Sequence, residues 1–279
     1  MSGFVVAAVL FGALLHASWN ALVKGSTDKA MDTALMLLLG GCIALPAACL
    51  IGWPRAEAWP WLLTSLGVHV VYSWSLAGAY RHGDLGLTYP LMRGSAPVLV
   101  ALASATWLAE PLRPLAWGGV LGICAGVLLL GLTRHALQSP RAVGFALVNA
   151  VMIALYTLAD AVGARASGQS LSYVTALVAL NGLVFPLLVL RRRSLATVLP
   201  YARQRWPVAT GAALASFGSY AIALWAMTQA PVATVAALRE TSVLFAVLLG
   251  SWFLRERFTR QRALGTAVIV AGVAALRLA

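Results

Sequence analysis

Ten long apolar runs joined by short polar stretches leave this chain little choice of solvent. They fall at about 4–23, 31–52, 61–80, 85–108, 115–133, 142–163, 171–190, 207–227, 232–254 and 262–278. A helix rises 1.5 Å per residue, so roughly 20 apolar residues cross the ~30 Å hydrocarbon layer of a bilayer. The runs approach that length and use most of the 279 residues, so no soluble domain fits between them. Composition agrees: 61% of the residues are hydrophobic and 10% charged, against about half and a quarter in soluble domains. Disorder needs the opposite balance. The formal charge of +12 does not indicate nucleic acid, because the basic residues sit at the ends of apolar runs and build no polar groove. The first run has no Lys or Arg before Lys24 and no clear cleavage site after it, which reads as an uncleaved span. The expected fold class is therefore an all-α integral membrane protein of ten transmembrane helices, multi-pass in a cell membrane. The lipid bilayer is its surroundings.

The chain also repeats itself. Arg93-Gly-Ser-Ala-Pro through Glu110 matches Arg239-Glu-Thr-Ser-Val through Glu256 without a gap, since 239 − 93 = 146 and 256 − 110 = 146. The same offset pairs Gly119 with Gly265, Gly126 with Gly272, Ser73 with Ser219, Thr88 with Thr234 and Trp74 with Tyr220. Shared Leu and Ala come cheaply in apolar sequence; shared Arg and Glu do not. The expected division is 1–136 and 137–279, five spans each. An odd number of spans makes the second copy enter from the opposite face, the inverted repeat that many secondary transporters use to build a midplane site.

Leu108-Ala-Glu110 and Leu254-Arg-Glu256 close the fourth span of each repeat, and a Gly-rich fifth span follows each (Gly118 to Gly131; Gly265 to Gly272). With these features the chain resembles the EamA branch of the drug/metabolite transporter superfamily over essentially its whole length. The resemblance implies two five-helix repeats, Glu110 and Glu256 as the family-motif glutamates, and no cofactor. It implies a secondary carrier, commonly an exporter, for small polar or amphipathic metabolites such as amino acids, in a bacterial inner membrane. Arg93 and Arg239 are not family-wide features.

Ionisable groups inside a bilayer cost several kcal/mol unless paired or facing water, which makes them site candidates. Arg93 lies near the centre of the fourth span, and Arg239 with Glu240 takes the equivalent place in the ninth. Tyr89, Arg93 and Pro97 share a helical face at i, i+4 and i+8. Two guanidiniums facing one cavity would hold a carboxylate or phosphonate by paired hydrogen bonds. The alternative is a structural network in which Glu240 neutralises one of them. His16, Asn20 and Lys24, with Trp19 beside them, form a polar stripe on the first span, and Asn149, Tyr156 and Asp160 form one on the sixth. His69, Tyr72, Ser73 and Tyr80 mark the third span; Ser216, Ser219 and Tyr220 mark the eighth. In lipid such stripes face protein or water, either as interhelical glue or as the lining of one cavity. Trp74 and Tyr220 are candidates to stack on the substrate.

No Gly-x-x-x-x-Gly-Lys-Ser/Thr loop is present, so the energy must come from a gradient. Proton coupling would fall to Glu240 first, because it is the carboxylate set deepest in a span, then to His69, His16 or Asp160. Pairing of Glu240 with an arginine would argue against that role. Cys42, Cys49 and Cys124 lie within apolar runs and act there as small apolar residues with no metal spacing. No catalytic motif occurs, so an enzyme is not expected; the alternative class is a non-transporting scaffold or receptor. Gly122 and Gly126 form a GxxxG that suits close helix contact, within a monomer or between two copies. Assigning the joints alternately to the two sides puts 14 Lys and Arg on one side and 4 on the other. The positive-inside rule then places both termini outside the cytoplasm, whereas the resemblance implies cytoplasmic termini.

Overall fold

The computed structural model describes residues 1–24, 26–83, 85–131, 139–191, 193–253 and 259–279. Every regular element among them is helical: α1 (Gly3–Lys24), α2 (Lys29–Ile51), a 3-10 turn (Ala56–Ala58), α3 (Trp59–His82), α4 (Leu85–Trp107) and α5 (Pro114–Gly131). The second half continues with α6 (Pro140–Ala166), α7 (Ser170–Leu190), α8 (Leu195–Gln229), α9 (Val232–Arg239), α10 (Ser242–Phe253) and α11 (Arg260–Leu278). Local chemistry sets the boundaries. Asp28 and Ser139 accept backbone N–H bonds from Met31 and Ala142 at the starts of α2 and α6, satisfying amides that a helix start leaves free. Pro140 then sits at the first position of α6, where its missing N–H is no loss.

Among the described residues six helices are long and apolar enough to cross a membrane: Gly3–Val23, Lys29–Ile51, Ala56–His82, Pro140–Ala166, Leu195–Gln229 and Arg260–Leu278. The other four expected spans are also helical over most of their described residues, with two differences. The ninth is not one helix. After Arg239 the ladder tightens, with Glu240 N–H donating to Ala237 O (3.0 Å) and Thr241 N–H to Leu238 O (3.1 Å). The Thr241 hydroxyl takes the Leu238 carbonyl as well (2.7 Å), a side chain competing with the backbone for its acceptor. The helix therefore restarts at Ser242 as α10. The eighth helix also starts earlier than its apolar run, because α8 begins at Leu195 and runs for 35 residues through Pro200 and Pro207.

Packing runs mainly between the halves. α5 lies against α11, α2 against α7, α3 against α6 and α1 against α8, while α4 meets α6 as α9 and α10 meet α1. Replacing each helix by its counterpart in the other half returns the same set of pairs. The contacts carry this to individual atoms. A Cβ on Gly119 would stand 2.9 Å from Gly272 O, and one on Gly126 would stand 2.8 Å from Gly265 O; these two contacts exchange under the 146-residue offset. Their order makes α5 and α11 antiparallel. At the crossing of α2 and α7, Gly41 faces Gly182 so closely that a Cβ on Gly182 would lie 2.7 Å from the Gly41 Cα. The largest buried cluster joins Val100 and Ile123 to Tyr173, Leu177, Leu224 and Leu238. The core thus sits between the halves.

Candidate functional site

At the middle of the bundle α4, α6 and α9 enclose a narrow recess of about 10 Å³, room for no more than a single water and far below the roughly 300 Å³ at which ligand pockets usually begin. Arg93 and Pro97 line it from α4, Ile153, Tyr156 and Thr157 from α6, and Arg239 and Glu240 from the end of α9. Prolines on either side of Arg93, at 90 and 97, interrupt the hydrogen-bond ladder of α4 around it. The break after α9 does the same beside Glu240. Both halves thus bring a loosened stretch of helix, and a charge, to one point.

Those charges are arranged unequally. Arg93 is buried; its Nε stands 2.8 Å from Glu240 Oε2, and its Nη2 donates to Ser242 Oγ at 3.4 Å. Arg239 is half-buried and has no carboxylate within ion-pair range among the described residues; its guanidinium lies 5.3 Å from the centre of the Tyr220 ring. The Tyr220 hydroxyl donates to Asp160 Oδ2, and the Tyr173 hydroxyl donates to Asp160 Oδ1 at 2.8 Å. Asp160 is fully buried and held by phenols, not by a cation. Burying a carboxylate is costly unless hydrogen bonds or a counter-charge satisfy it. Glu240 has the counter-charge; Asp160 has the hydrogen bonds.

An aromatic cluster borders this network. The Tyr156 ring stacks on His69 at 4.6 Å and meets Tyr72 edge-on at 5.9 Å. His69 Nδ1 bonds the Ser65 carbonyl at 2.8 Å. Tyr89 is half-buried against the main core, one helical turn before Arg93.

The remaining expected site residues fall into other roles. Asn149 is fully buried and donates to Tyr72 O and Ser75 Oγ, both at 2.9 Å, tying α6 to α3. Asn20 bonds back to His16 O at 2.8 Å on its own helix, and the His16 ring meets Trp19 edge-on at 5.2 Å. Trp19 Nε1 is buried without a hydrogen-bond partner among the described residues. Trp74 is 63% exposed and packs against Phe145 on the outer surface, so the structure does not bring it to the recess although Tyr220, its counterpart, lies against Arg239 of the recess wall. Glu256 and the side chain of Lys24 lie outside the described residues.

Glu110 does not reach the recess either. It pairs with Arg165 (2.7 Å) and accepts the N–H of Val232, the first residue of α9 (2.8 Å). Arg165 also donates to Met227 O at 2.7 and 2.9 Å. Ala109, at φ 52, turns the chain just before this carboxylate. The clasp joins the ends of α4, α6 and α8 to the start of α9, where a negative group complements the helix dipole.

A second polar clasp has only a faint sequence signal. Buried Asp32 takes bonds from Tyr201 Oη (2.8 Å) and Arg205, while Asp28 pairs with Arg193 at 2.9 Å. Asp28 and Asp32 stand one turn apart at the start of the second run, and the basic stretch 191–206 is the obvious source of counter-charge. Tyr173 had no signal at all; a lone tyrosine in an apolar run names no partner.

The sequence model of the EamA-like transporter family matches residues 140–278. Residues 140–278 belong to the EamA-like transporter family. This is a family of membrane transporters, and several apolar helices of this chain are long enough to span a bilayer. Among solved structures, one described as a crystal structure of a protein aligns with 98% of this chain and 98% of its own. It is 21% identical with a TM-score of 0.73, a likeness that shows the fold alone. No curated protein matches the chain.

Proposed function

We propose that this EamA-type protein is a secondary carrier of small polar or amphipathic metabolites, amino acids being the leading class, and that it works as an exporter by alternating access. Two inverted five-helix repeats, 1–136 and 137–279, move about the recess between them in a bacterial inner membrane. The observation that carries this reading is the buried charge cluster at the junction of the halves. Arg93, Glu240 and Arg239 line one small space, and Asp160 is joined to it through Tyr220, whose ring lies against Arg239. Charges inside a bilayer are expensive; a scaffold would gain nothing from them that apolar packing does not supply. The inverted arrangement is supported by the exchange of helix pairs and by the antiparallel crossing of α5 and α11. Two copies related by an axis in the membrane plane present equivalent helices antiparallel, whereas an axis along the membrane normal would keep them parallel.

Within the recess the roles divide by partner. Glu240 neutralises Arg93, which leaves Arg239 to receive a substrate carboxylate in place of its contact with Tyr220. Tyr156 and Tyr220 offer ring faces to the rest of the molecule. Asp160, held by two hydroxyl donors, is the better proton carrier, because a hydroxyl can turn to accept where an arginine cannot. The recess is too small for such a substrate as it stands, so the halves must part to admit it. The test is counterflow of labelled amino acids in proteoliposomes. Solute should exchange unaltered, and Arg239→Gln should cut exchange at least tenfold while leaving the yield of folded protein unchanged. An inert wild type would leave the scaffold reading in place.

A further inference from the structure

We infer that the outer face of α8 near its start binds the headgroup of an anionic phospholipid, with Arg203 as the phosphate ligand. α8 has 35 residues, about 52 Å of helix at 1.5 Å per residue, so more than a third of it extends past the ~30 Å hydrocarbon layer. Its apolar run ends at Trp206–Pro207, which sets Trp206 at the boundary, where indole rings settle. Arg203 follows one turn outward, at the level of the phosphates.

Two opposed faces divide the arginines of this segment. Tyr201 and Arg205, at i and i+4, bond Asp32 and clamp the helix to α2. The other face carries Leu199, Arg203, Trp206, Thr210 and Leu214, at i, i+4, i+7, i+11 and i+15. On it Leu199 is 64%, Trp206 57% and Leu214 52% exposed. Arg203 is exposed and has no ion pair or hydrogen bond among the described residues. An unpaired guanidinium above a stripe of exposed apolar side chains matches a phosphate above an acyl chain. The guanidinium takes two phosphate oxygens, and the chain runs down past Trp206 and Leu214. The excess of basic residues at this end of the bundle, including Arg191 and Arg193, favours a negatively charged headgroup over a zwitterionic one.

The full chain, purified with limited detergent from mixed phosphatidylglycerol and phosphatidylcholine, is examined by native mass spectrometry for the lipid it retains. The wild type should keep phosphatidylglycerol in preference, and Arg203→Gln should lower that preference about fivefold. Arg203→Lys should retain much of it. Lys29→Gln, which removes an exposed charge at the same end, should leave it unchanged. Equal retention of both lipids by the wild type would overturn the assignment, as would an Arg203→Gln protein that behaves like the wild type. So would equal losses in Arg203→Gln and Lys29→Gln, which would mean diffuse attraction, or displacement by excess inorganic phosphate, which would mean a free-anion site. The readout does not depend on transport, so it stands or falls apart from the carrier assignment.

Discussion

Two buried carboxylates 80 residues apart in sequence, Asp160 and Glu240, show how partners decide what a charge does. Glu240 is matched to Arg93, so Glu240→Gln would leave a buried guanidinium uncompensated, at a cost of about 3–5 kcal/mol. Asp160 is matched to the hydroxyls of Tyr173 and Tyr220. An asparagine there still accepts from one of them, so Asp160→Asn should cost only about 1–2 kcal/mol. Denaturant unfolding in micelles, followed by tryptophan fluorescence, compares the two; equal losses would contradict the division. At this scale the sequence was informative where polar residues recur at helical spacing: Tyr89 with Arg93, and Tyr156 with Asp160, do share faces turned inward. Trp74 shows the limit. An offset shared with Tyr220 fixes its position along a helix, but a helix with apolar residues all round does not declare which side meets lipid. Asp32 needed partners from a distant segment, and Tyr173 needed Asp160 of the preceding helix.

Among the elements, the α9–α10 pair and the glycine crossings decide the geometry of the site. The break at Glu240 and Thr241 was not visible as a boundary, because apolar residues continue on both sides and no proline or glycine marks it. It follows from a polar Arg-Glu-Thr-Ser stretch whose threonine takes back a backbone acceptor. The long start of α8 falls outside the apolar runs for the opposite reason: its arginines are polar, yet Tyr201 and Arg205 point one way and hold it as helix. The glycines, by contrast, were legible as markers of close contact. Gly182→Ala puts a methyl 2.7 Å from the Gly41 Cα, backbone that cannot turn aside as a side chain would. It should lower stability by about 1–3 kcal/mol in the same unfolding measurement. Gly211, with nothing within 4 Å of an added Cβ, provides the control, and Gly211→Ala should cost nothing. A Gly182→Ala protein as stable as that control would mean the helices separate easily there.

For the molecule as a whole, the 146-residue offset suggests which helices correspond. The helix pairs exchange under that correspondence. What the offset does not contain is how far apart the halves stand, and the narrow recess between α4, α6 and α9 could be read only from packing. Alternating access makes a demand on that recess that needs no knowledge of the substrate. Thr157 is buried in its wall. In a variant with Cys42, Cys49 and Cys124 replaced by alanine, a cysteine introduced as Thr157→Cys should be reached by a membrane-impermeant thiol reagent from either face of oriented, sealed vesicles. Modification from both faces is the predicted result; modification from one face alone, or from neither, would contradict it.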